Sequence, residues 1–290
     1  RYLETAAEIL GSYDKYYAEL MAKKYYFDGL ILRLQGEKES NTTTAEQLFR
    51  LGLSMQKQAL EQENLSAFIY NELGLLHKRL EEYDEAIPYF EKAIELSPSW
   101  VMAYNNQATI YFLKKDFDTA EAFGMLAVEL DSNLAYSHRT LGQALYRNKK
   151  YTEAEKVLLR AIALNPTYAP IHYTLGNMYK KPAIKNIERS KYHYEKAIEI
   201  DPDYVQALNN LGTIYLDEEN YAEAEKLAQR TIEIKRDYTL GYLKLARIYA
   251  ATDRPGEAES ILQRIIEIKP TDYRGYNRLG DFYIQNNQFE

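Results

Sequence analysis

The sequence predicts an all-α protein, a solenoid of stacked helical hairpins, because three kinds of marker residue share one period of about 34 positions. A small residue recurs in the first half of each unit, at Gly74, Ala108, Gly142, Gly176, Gly212, Ala246 and Gly280. A second small residue recurs in the second half, at Ala86, Ala120, Ala154, Ser190, Ala224 and Ala258. Prolines keep the same phase at Pro98, Pro166, Pro202 and Pro270. Such a repeat is typical of folds in which each unit buries its apolar face only against the next unit.

Each unit is predicted to be a helix, a turn and a second helix. In the clearest copy, residues 67–80 carry apolar side chains at helical spacing, residues 81–86 form a polar break, and residues 87–96 resume the helical pattern. Pro98 ends the second helix, since proline is not tolerated beyond the first turn of a helix. The small marker residues allow two helices to approach each other closely.

This unit resembles the tetratricopeptide repeat. The residues that carry the resemblance in the clearest copy are Tyr70, Leu73, Gly74, Ala86, Phe90, Ala93 and Pro98. The matching units are 67–100, 101–134, 135–168, 169–204, 205–238 and 239–272, followed by a half-repeat at 273–290. The resemblance covers about three-quarters of the chain, so residues 67–290 are predicted to form one repeat array. It implies a right-handed superhelix whose concave wall is lined by the first helix of each unit.

Residues 1–66 are predicted to form N-terminal helices that include a degenerate unit at 22–66. This unit is marked by Tyr25 and Gly29 in its first helix and by Ala59 and Asn64 in its second. It carries extra polar residues between the two helices.

Two details of this N-terminal part are also predicted. A capping box formed by Thr44 and Gln47 is expected to open a helix over residues 45–62. Residues 1–20 are expected to form one helix, or a pair of helices broken near Gly11-Ser12.

The half-repeat at 273–290 has two interpretations. It is either a cap on the array or the first half of a unit that continues in a longer protein. We expect the second, because Tyr283, Ile284 and Phe289 would otherwise present an apolar face to water.

The composition excludes several classes of protein. The chain has 290 residues, a net charge of −7 and no cysteine, which excludes disulfides, thiolate metal sites and a cysteine nucleophile. No apolar run is long enough to span a membrane, and because no targeting segment is visible we expect a cytoplasmic location. The acidic balance argues against nucleic acid as the partner. Phosphate-binding glycine loops, nucleophile elbows and zinc-protease motifs do not occur, so we expect no enzymatic activity and no cofactor.

Two histidines raise the question of a metal site. His138 and His172 lie 34 positions apart, in a slot that tyrosine fills in other units. They would either form a stacked imidazole pair that binds a metal or pack between neighbouring first helices. The usual occupants of the slot favour packing, so we predict no metal site.

The first-helix slots that face the concave wall are predicted to be basic. The basic residues in these slots are Lys78, Arg79, Arg139, Arg147, Lys180, Lys181, Lys244, Arg247, Arg274 and Arg278. The acidic residues are Glu72, Asp217 and Asp281. Ten positive charges against three negative ones make the wall positive by about seven, in a chain whose net charge is −7. Such a field speeds the encounter with an acidic partner, and salt screens it.

Asparagines in the same slots predict contacts with a peptide backbone. An amide side chain offers one acceptor and two donors, so it pairs with both the C=O and the N–H of an extended chain. The predicted peptide-binding residues are Asn105, Asn106, Arg139, Arg147, Asn177, Lys180, Asn210, Lys244 and Arg247. An apolar anchor is expected from Met102, Phe112, Tyr136 and Tyr146.

The resemblance implies one further use of these residues. Some tetratricopeptide repeat proteins hold the C-terminus of heat-shock chaperones in a carboxylate clamp. Asn177 and Asn210 match the two asparagines of that clamp and Lys244 matches its last basic residue, whereas Tyr173 and Leu240 occupy its other two basic slots.

The predicted function is a non-enzymatic scaffold for protein–protein interaction. It is expected to bind an extended peptide segment, acidic or with a free C-terminus, in a basic groove lined by asparagine. The alternative is a structural, self-associating or regulatory sensor segment of a larger multidomain protein whose activity lies outside this chain. Nucleic acid is the weakest of the partner classes considered, because the chain as a whole is acidic.

Overall fold

The computed structural model describes residues 2–39, 41–62 and 66–285, with side chains described from residue 11 to residue 284 except residue 13. Fifteen α-helices account for most of these residues, and no strand occurs among them. The helices are α1 (Tyr2–Lys38), α2 (Thr42–Gln62), α3 (Ala67–Arg79), α4 (Tyr83–Leu96), α5 (Val101–Leu113), α6 (Phe117–Leu130), α7 (Ala135–Arg147), α8 (Tyr151–Leu164), α9 (Ala169–Tyr179), α10 (Ile187–Ile200), α11 (Val205–Asp217), α12 (Tyr221–Ile234), α13 (Thr239–Ala251), α14 (Pro255–Ile268) and α15 (Tyr273–Gln285).

The chain forms two compact units, residues 1–164 and residues 165–290. In the first unit four helix pairs, from α1/α2 to α7/α8, pack one after another. In the second unit three pairs, from α9/α10 to α13/α14, pack in the same way, and α15 packs on α14. The predicted all-α stack of helical hairpins is confirmed. The proposed boundary between residues 66 and 67 separates types of repeat and stays a prediction.

First helices form one wall of each unit. Contacts join α3 to α5 and α5 to α7 in the first unit, and α11 to α13 in the second. We call α3, α5 and α7 the first-unit wall, and α9, α11, α13 and α15 the second-unit wall.

A residue with left-handed backbone closes the first helix of each hairpin in the array. These residues are Glu81, Lys115, Lys149, Lys185, Glu219 and Asp253, with φ between 42° and 66°. The backbone N–H of the following residue then donates to a carbonyl of the preceding helix. For example, the Glu82 N–H donates to the His77 carbonyl at 3.0 Å. Glycine usually occupies such a position, and none does so here.

Three of the five glycines at the first marker position lie directly under a large side chain of the paired helix. A Cβ added at Gly74 would lie 2.7 Å from the Phe90 ring, and one at Gly142 would lie 2.6 Å from Leu158. Gly176 meets Tyr194 in the same way. These contacts confirm the steric interpretation of the repeat at three of its units.

Gly142→Leu is expected to destabilise the protein by about 1–3 kcal/mol, because Leu158 already fills the space that the new side chain needs. Gly212→Ala is the control, since a Cβ there would have no neighbour closer than 3.4 Å. That control is expected to stabilise by about 0.5–1 kcal/mol through helix propensity. Urea unfolding followed by circular dichroism measures both changes, and a Gly142→Leu protein as stable as wild type would contradict the packing argument.

The N-terminal region agrees with the sequence prediction at one point and differs from it at another. Helix α1 runs without a break through Gly11 and Ser12, so the predicted single helix is confirmed and the alternative, a broken pair of helices, is wrong. Helix α2 begins three residues earlier than expected, and the Asn41 Oδ1 accepts from the Thr44 N–H at 3.0 Å. Asn41 caps this helix in place of Thr44. Asn64 lies outside the described residues.

At the other end, α15 carries two of the three apolar residues predicted to need cover. Ile284 is exposed, whereas the Tyr283 hydroxyl donates to Glu259 Oε1 at 2.7 Å. Phe289 lies outside the described residues. Within the described part of the chain, no helix combines the length and apolar character needed to cross a bilayer.

Candidate functional site

The second-unit wall encloses an open cavity of about 570 Å³ between α11, α13 and α15. Its apolar lining includes Leu216, Leu240, Leu243, Leu262 and Phe282. Its polar lining includes Asn209, Thr213, Lys244, Arg247, Arg278 and Asp281. A cavity with an apolar body and a few convergent polar groups is the usual form of a ligand site.

Lys244 is the buried cation of this cavity. Its side chain is 7% exposed, and its ammonium donates to the Asn209 backbone carbonyl and, at 3.0 Å, to the Asn209 Oδ1. Burial lowers the pKa of Lys244 to about 7, and the positive charge of Lys180 adds to the effect. Lys244 therefore gains or loses its proton near neutral pH.

Two arginines at the same cavity hold loose ion pairs. Arg247 lies 3.6 Å from an oxygen of Asp217, and Arg278 lies 3.5 Å from an oxygen of Asp281. Both arginines are exposed, and ion pairs of this kind contribute little to stability. An incoming carboxylate could therefore replace Asp217 or Asp281 at small cost.

Asn177 and Asn210 connect α9 to α11. The Asn177 Oδ1 accepts from the Asn210 amide at 2.9 Å and from the Tyr194 hydroxyl at 2.7 Å. The Asn210 Oδ1 in turn accepts from Asn209 at 3.3 Å. Both residues are half-buried, and so is Lys180, whose pKa burial lowers. These amides hold the wall together and keep part of their surface exposed.

The first-unit wall corrects the prediction for two of its asparagines. Asn105 is fully buried and donates to the Ser137 Oγ at 2.8 Å, which ties α5 to α7. Asn106 is buried as well and donates to the Asn71 Oδ1 at 2.7 Å, which ties α5 to α3. Neither side chain is open to a ligand, because Asn105 is buried against α7 and Asn106 is buried against α3.

The two arginines of α7 lie on aromatic rings. The Arg139 guanidinium stands 4.7 Å from the centre of the Tyr136 ring and donates to Gln143 at 3.3 Å. The Arg147 guanidinium stands 4.3 Å from Phe117 and 5.5 Å from Phe112. Phe112 and Tyr136, which the sequence offered as apolar anchors, thus serve as platforms for the two cations.

The net charge of the walls is lower than the sequence predicts, because two carboxylates outside the predicted slots, Glu37 and Asp272, pair with Arg79 and Arg274. Arg247 and Arg278 pair with Asp217 and Asp281, which the predicted charge already includes. Burial also lowers the pKa of Lys78 to about 8. Glu72 of α3 does not contribute to the exposed charge of the wall, since it is buried against Arg33 of α1.

The histidines are accounted for by packing contacts. The His172 Nδ1 lies 3.1 Å from the His193 Nδ1 in the second unit, and the His138 Nε2 lies 2.9 Å from the Ser132 carbonyl in the first. All three rings are buried. Within the described residues, no group of three or more potential ligand side chains could hold a metal ion.

Both units are thus built from one kind of helical hairpin, and the protein is a helical repeat protein. Sequence profiles of the tetratricopeptide repeat match residues 67–99, 103–134, 142–181, 169–204, 193–226 and 216–279. The chain belongs to the tetratricopeptide repeat family. Proteins of this family are generally non-enzymatic scaffolds for protein–protein interaction, and this is the class of function that membership supports. A comparison of the sequence with curated proteins finds no match.

Three solved structures are similar in fold. A chain of the Cut9–Hcn1 hetero-tetramer of the APC/C matches with a TM-score of 0.66 and 16% identity, over 81% of this chain and 48% of that one. Yeast Tom70 matches with a TM-score of 0.64 and 16% identity, over 92% of this chain and 65% of that one. Pseudomonas aeruginosa PilF matches with a TM-score of 0.63 and 20% identity, over 76% of this chain and 97% of that one. The chain therefore spans about half the length of the first of these, and the likeness concerns the fold.

Proposed function

We propose that this chain binds an extended acidic peptide segment of another protein along the second-unit wall, with the cavity around Lys244 as the anchoring point. The observation that carries the proposal is the position of Lys244, a cation buried at a cavity that combines apolar and polar lining residues. A buried cation without a carboxylate partner is costly, and an anionic ligand would offset that cost.

The lining of the cavity indicates what kind of peptide would fit. Leu243, Leu262 and Phe282 offer apolar contacts for one bulky side chain. Lys244 would take a carboxylate beside it, and Arg247 and Arg278 would exchange their present carboxylates for others of the peptide. The preferred segment therefore carries a large apolar residue flanked by acidic ones.

The rest of the second-unit wall extends the proposed surface toward α9. Asn177, Asn210 and Lys180 are half-buried there, so their polar edges remain reachable by a peptide backbone. The partial match to a carboxylate clamp at Asn177, Asn210 and Lys244 leaves two sources for the anchoring carboxylate, a free C-terminus or an acidic side chain. Arg139 and Arg147 on their aromatic platforms would form a separate basic surface for acidic residues within the first unit.

Binding of a defined acidic peptide tests this proposal. The probe is a fluorescein-labelled peptide of about ten residues with one leucine among glutamates, prepared with a free and with an amidated C-terminus. Fluorescence anisotropy is expected to show binding that weakens as salt rises. Arg247→Glu/Arg278→Glu is expected to weaken it at least about tenfold, because the reversed charges repel the peptide at the cavity. Loss of binding on amidation assigns the carboxylate to the C-terminus, and unchanged binding assigns it to side chains.

The control variant changes the same net charge on the second helices of the same unit. Arg230 in α12 and Arg264 in α14 are exposed, and Arg230→Glu/Arg264→Glu is expected to change the affinity less than about threefold. Equal losses in the two double variants would show that overall charge and not the cavity attracts the peptide. Absence of binding by the wild-type protein at low salt would also overturn the proposal.

A further inference from the structure

Helix α1 packs tightly on α2 through one face. Ala22, Gly29 and Gly36 lie seven residues apart on this face and are all buried. A Cβ added at Gly29 would lie 2.6 Å from Gln56, and one at Gly36 would lie 2.5 Å from Phe49. The small residues bring the two helices together, so this face has no room for another partner.

The opposite face of α1 carries an exposed apolar seam. Its members are Tyr17, Leu20, Phe27, Ile31 and Leu34, which are between 44% and 58% exposed. Together with Lys24 they follow one another at alternating steps of three and four residues. This spacing places all six at the a and d positions of a heptad repeat, whereas the buried small residues fall at the f position opposite them. An exposed apolar stripe of this regularity is typical of a helix that pairs with a second helix.

We propose that the seam docks a second copy of this chain, with the two α1 helices packed antiparallel as a short coiled coil. The pattern is self-complementary about a two-fold axis that passes between Lys24 and Phe27. Tyr17 of each copy then meets Leu34 of the other, and Leu20 of each meets Ile31 of the other. An interface that places the same surface on both subunits is the usual form of a symmetric dimer.

Lys24 decides the direction of the two helices. In a parallel pair it would face its own copy across the seam, and like charges at that distance repel. In the antiparallel pair each ammonium lies over the Phe27 ring of the other copy, where a cation is attracted to the ring face. Asp28 already holds the Lys24 ammonium at 2.8 Å within the same helix, and this contact is retained.

A groove beside the seam extends the apolar surface onto α2. It has a volume of about 330 Å³ and is lined by Asp28, Ile31, Leu32, Leu51 and Met55. Leu51 of α2 is itself about half exposed. A helix on the seam would cover this groove as well, which adds apolar burial to that of the seam.

Sedimentation velocity over protein concentrations from about 1 to about 300 µM tests the proposal. The wild-type protein is expected to pass from monomer to dimer in this range. Phe27→Glu/Ile31→Glu is expected to weaken the dimer at least about 100-fold, because four carboxylates would meet in the seam. Lys24→Leu is expected to tighten it at least about tenfold, since an apolar residue then faces Phe27.

The control is Met125→Glu/Leu126→Glu on α6. These two residues are also large, apolar and exposed, and they lie in the same unit away from α1. The control protein is expected to dimerise like wild type. A monomer at every concentration, or an equal loss in both double variants, would overturn the proposal, and the seam would then belong to another segment or another protein.

Cross-linking tests the direction of the helices, because the chain has no native cysteine. Leu20→Cys and Ile31→Cys proteins are expected to form a disulfide-linked dimer under mild oxidation when mixed, and much less when each is oxidised alone. A strong cross-link within Leu20→Cys alone would show a parallel pair and overturn the antiparallel arrangement. Peptide binding at Lys244 is expected to be unchanged in Phe27→Glu/Ile31→Glu, so the two proposals fail separately.

Discussion

Arg33→Met is expected to destabilise the first unit by about 3 kcal/mol, because it leaves the buried Glu72 carboxylate without its partner. Glu72 lies in α3 and is 3% exposed, and its two carboxylate oxygens accept from the Arg33 guanidinium of α1, one of them at 3.4 Å. Burial raises the pKa of Glu72 even with Arg33 in place. Without the arginine the carboxyl either remains charged at high cost or takes up a proton, and both lower the stability of the unit.

The double variant distinguishes the cost of a buried charge that has lost its partner from the net contribution of the ion pair to stability. Arg33→Met/Glu72→Met replaces both partners with apolar side chains and is expected to lie within about 1 kcal/mol of wild type. A double-mutant cycle measured by urea unfolding gives the coupling between the two residues. If the losses in the free energy of unfolding from the two single variants simply add in the double variant, Arg33 and Glu72 are not coupled and the explanation above is wrong.

The exposed pair of Arg50 with Glu46 is the reference for this cycle. Its two side chains are more than half exposed and 2.9 Å apart in adjacent turns of α2. Arg50→Met is expected to change the stability by less than about 0.5 kcal/mol, because water screens the lost interaction.

The hairpin architecture could be predicted from the sequence because its causes are local and periodic. Gly142 and Leu158 lie sixteen positions apart within one repeat, so the contact between them recurs with the period. The left-handed residues at the hairpin turns recur as well, but Glu81 and Lys115 look like ordinary solvated residues. Their backbone is set by the bonds that close the preceding helix, and no residue type marks it.

The candidate site could be predicted only in part. The position of a residue within the repeat indicates which way its side chain points, but it does not determine how much of that side chain is exposed. Asn106, Asn210 and Lys244 occupy the same slot of three units, yet Asn106 and Lys244 are buried and Asn210 is half-buried. The difference comes from what the neighbouring first helix places over the slot. The charge of the wall depends likewise on residues outside the repeat, as where Glu37 of α1 pairs with Arg79. Such pairs join segments that no sequence period relates.

Lys244→Met is expected to stabilise the second unit by about 2 kcal/mol at pH 7 while it weakens peptide binding. The pKa of this lysine falls from 10.5 to about 7 on burial, so the unfolded chain binds the proton more strongly than the folded one between those values. The wild-type protein therefore gains stability as pH rises from 7 to 10.5, and the methionine variant should lose this dependence. Thermal unfolding of both proteins across this range measures it. A lysine that costs stability where it stands is more simply explained by ligand binding than by folding.

The same titration gives the binding reaction a pH dependence of known sign. Only the protonated Lys244 attracts a carboxylate, so the affinity for the acidic peptide is expected to be highest below pH 7 and to fall as pH rises above 7. A bound carboxylate raises the pKa of Lys244 again. By linkage, the pH at which half of the affinity is lost then moves upward. Lys244→Met should bind weakly and equally at pH 6 and pH 9, whereas Arg230→Glu/Arg264→Glu should keep the wild-type profile. A wild-type affinity that is flat across this range would place the peptide away from Lys244, because the ammonium at the cavity could then make no contact with it.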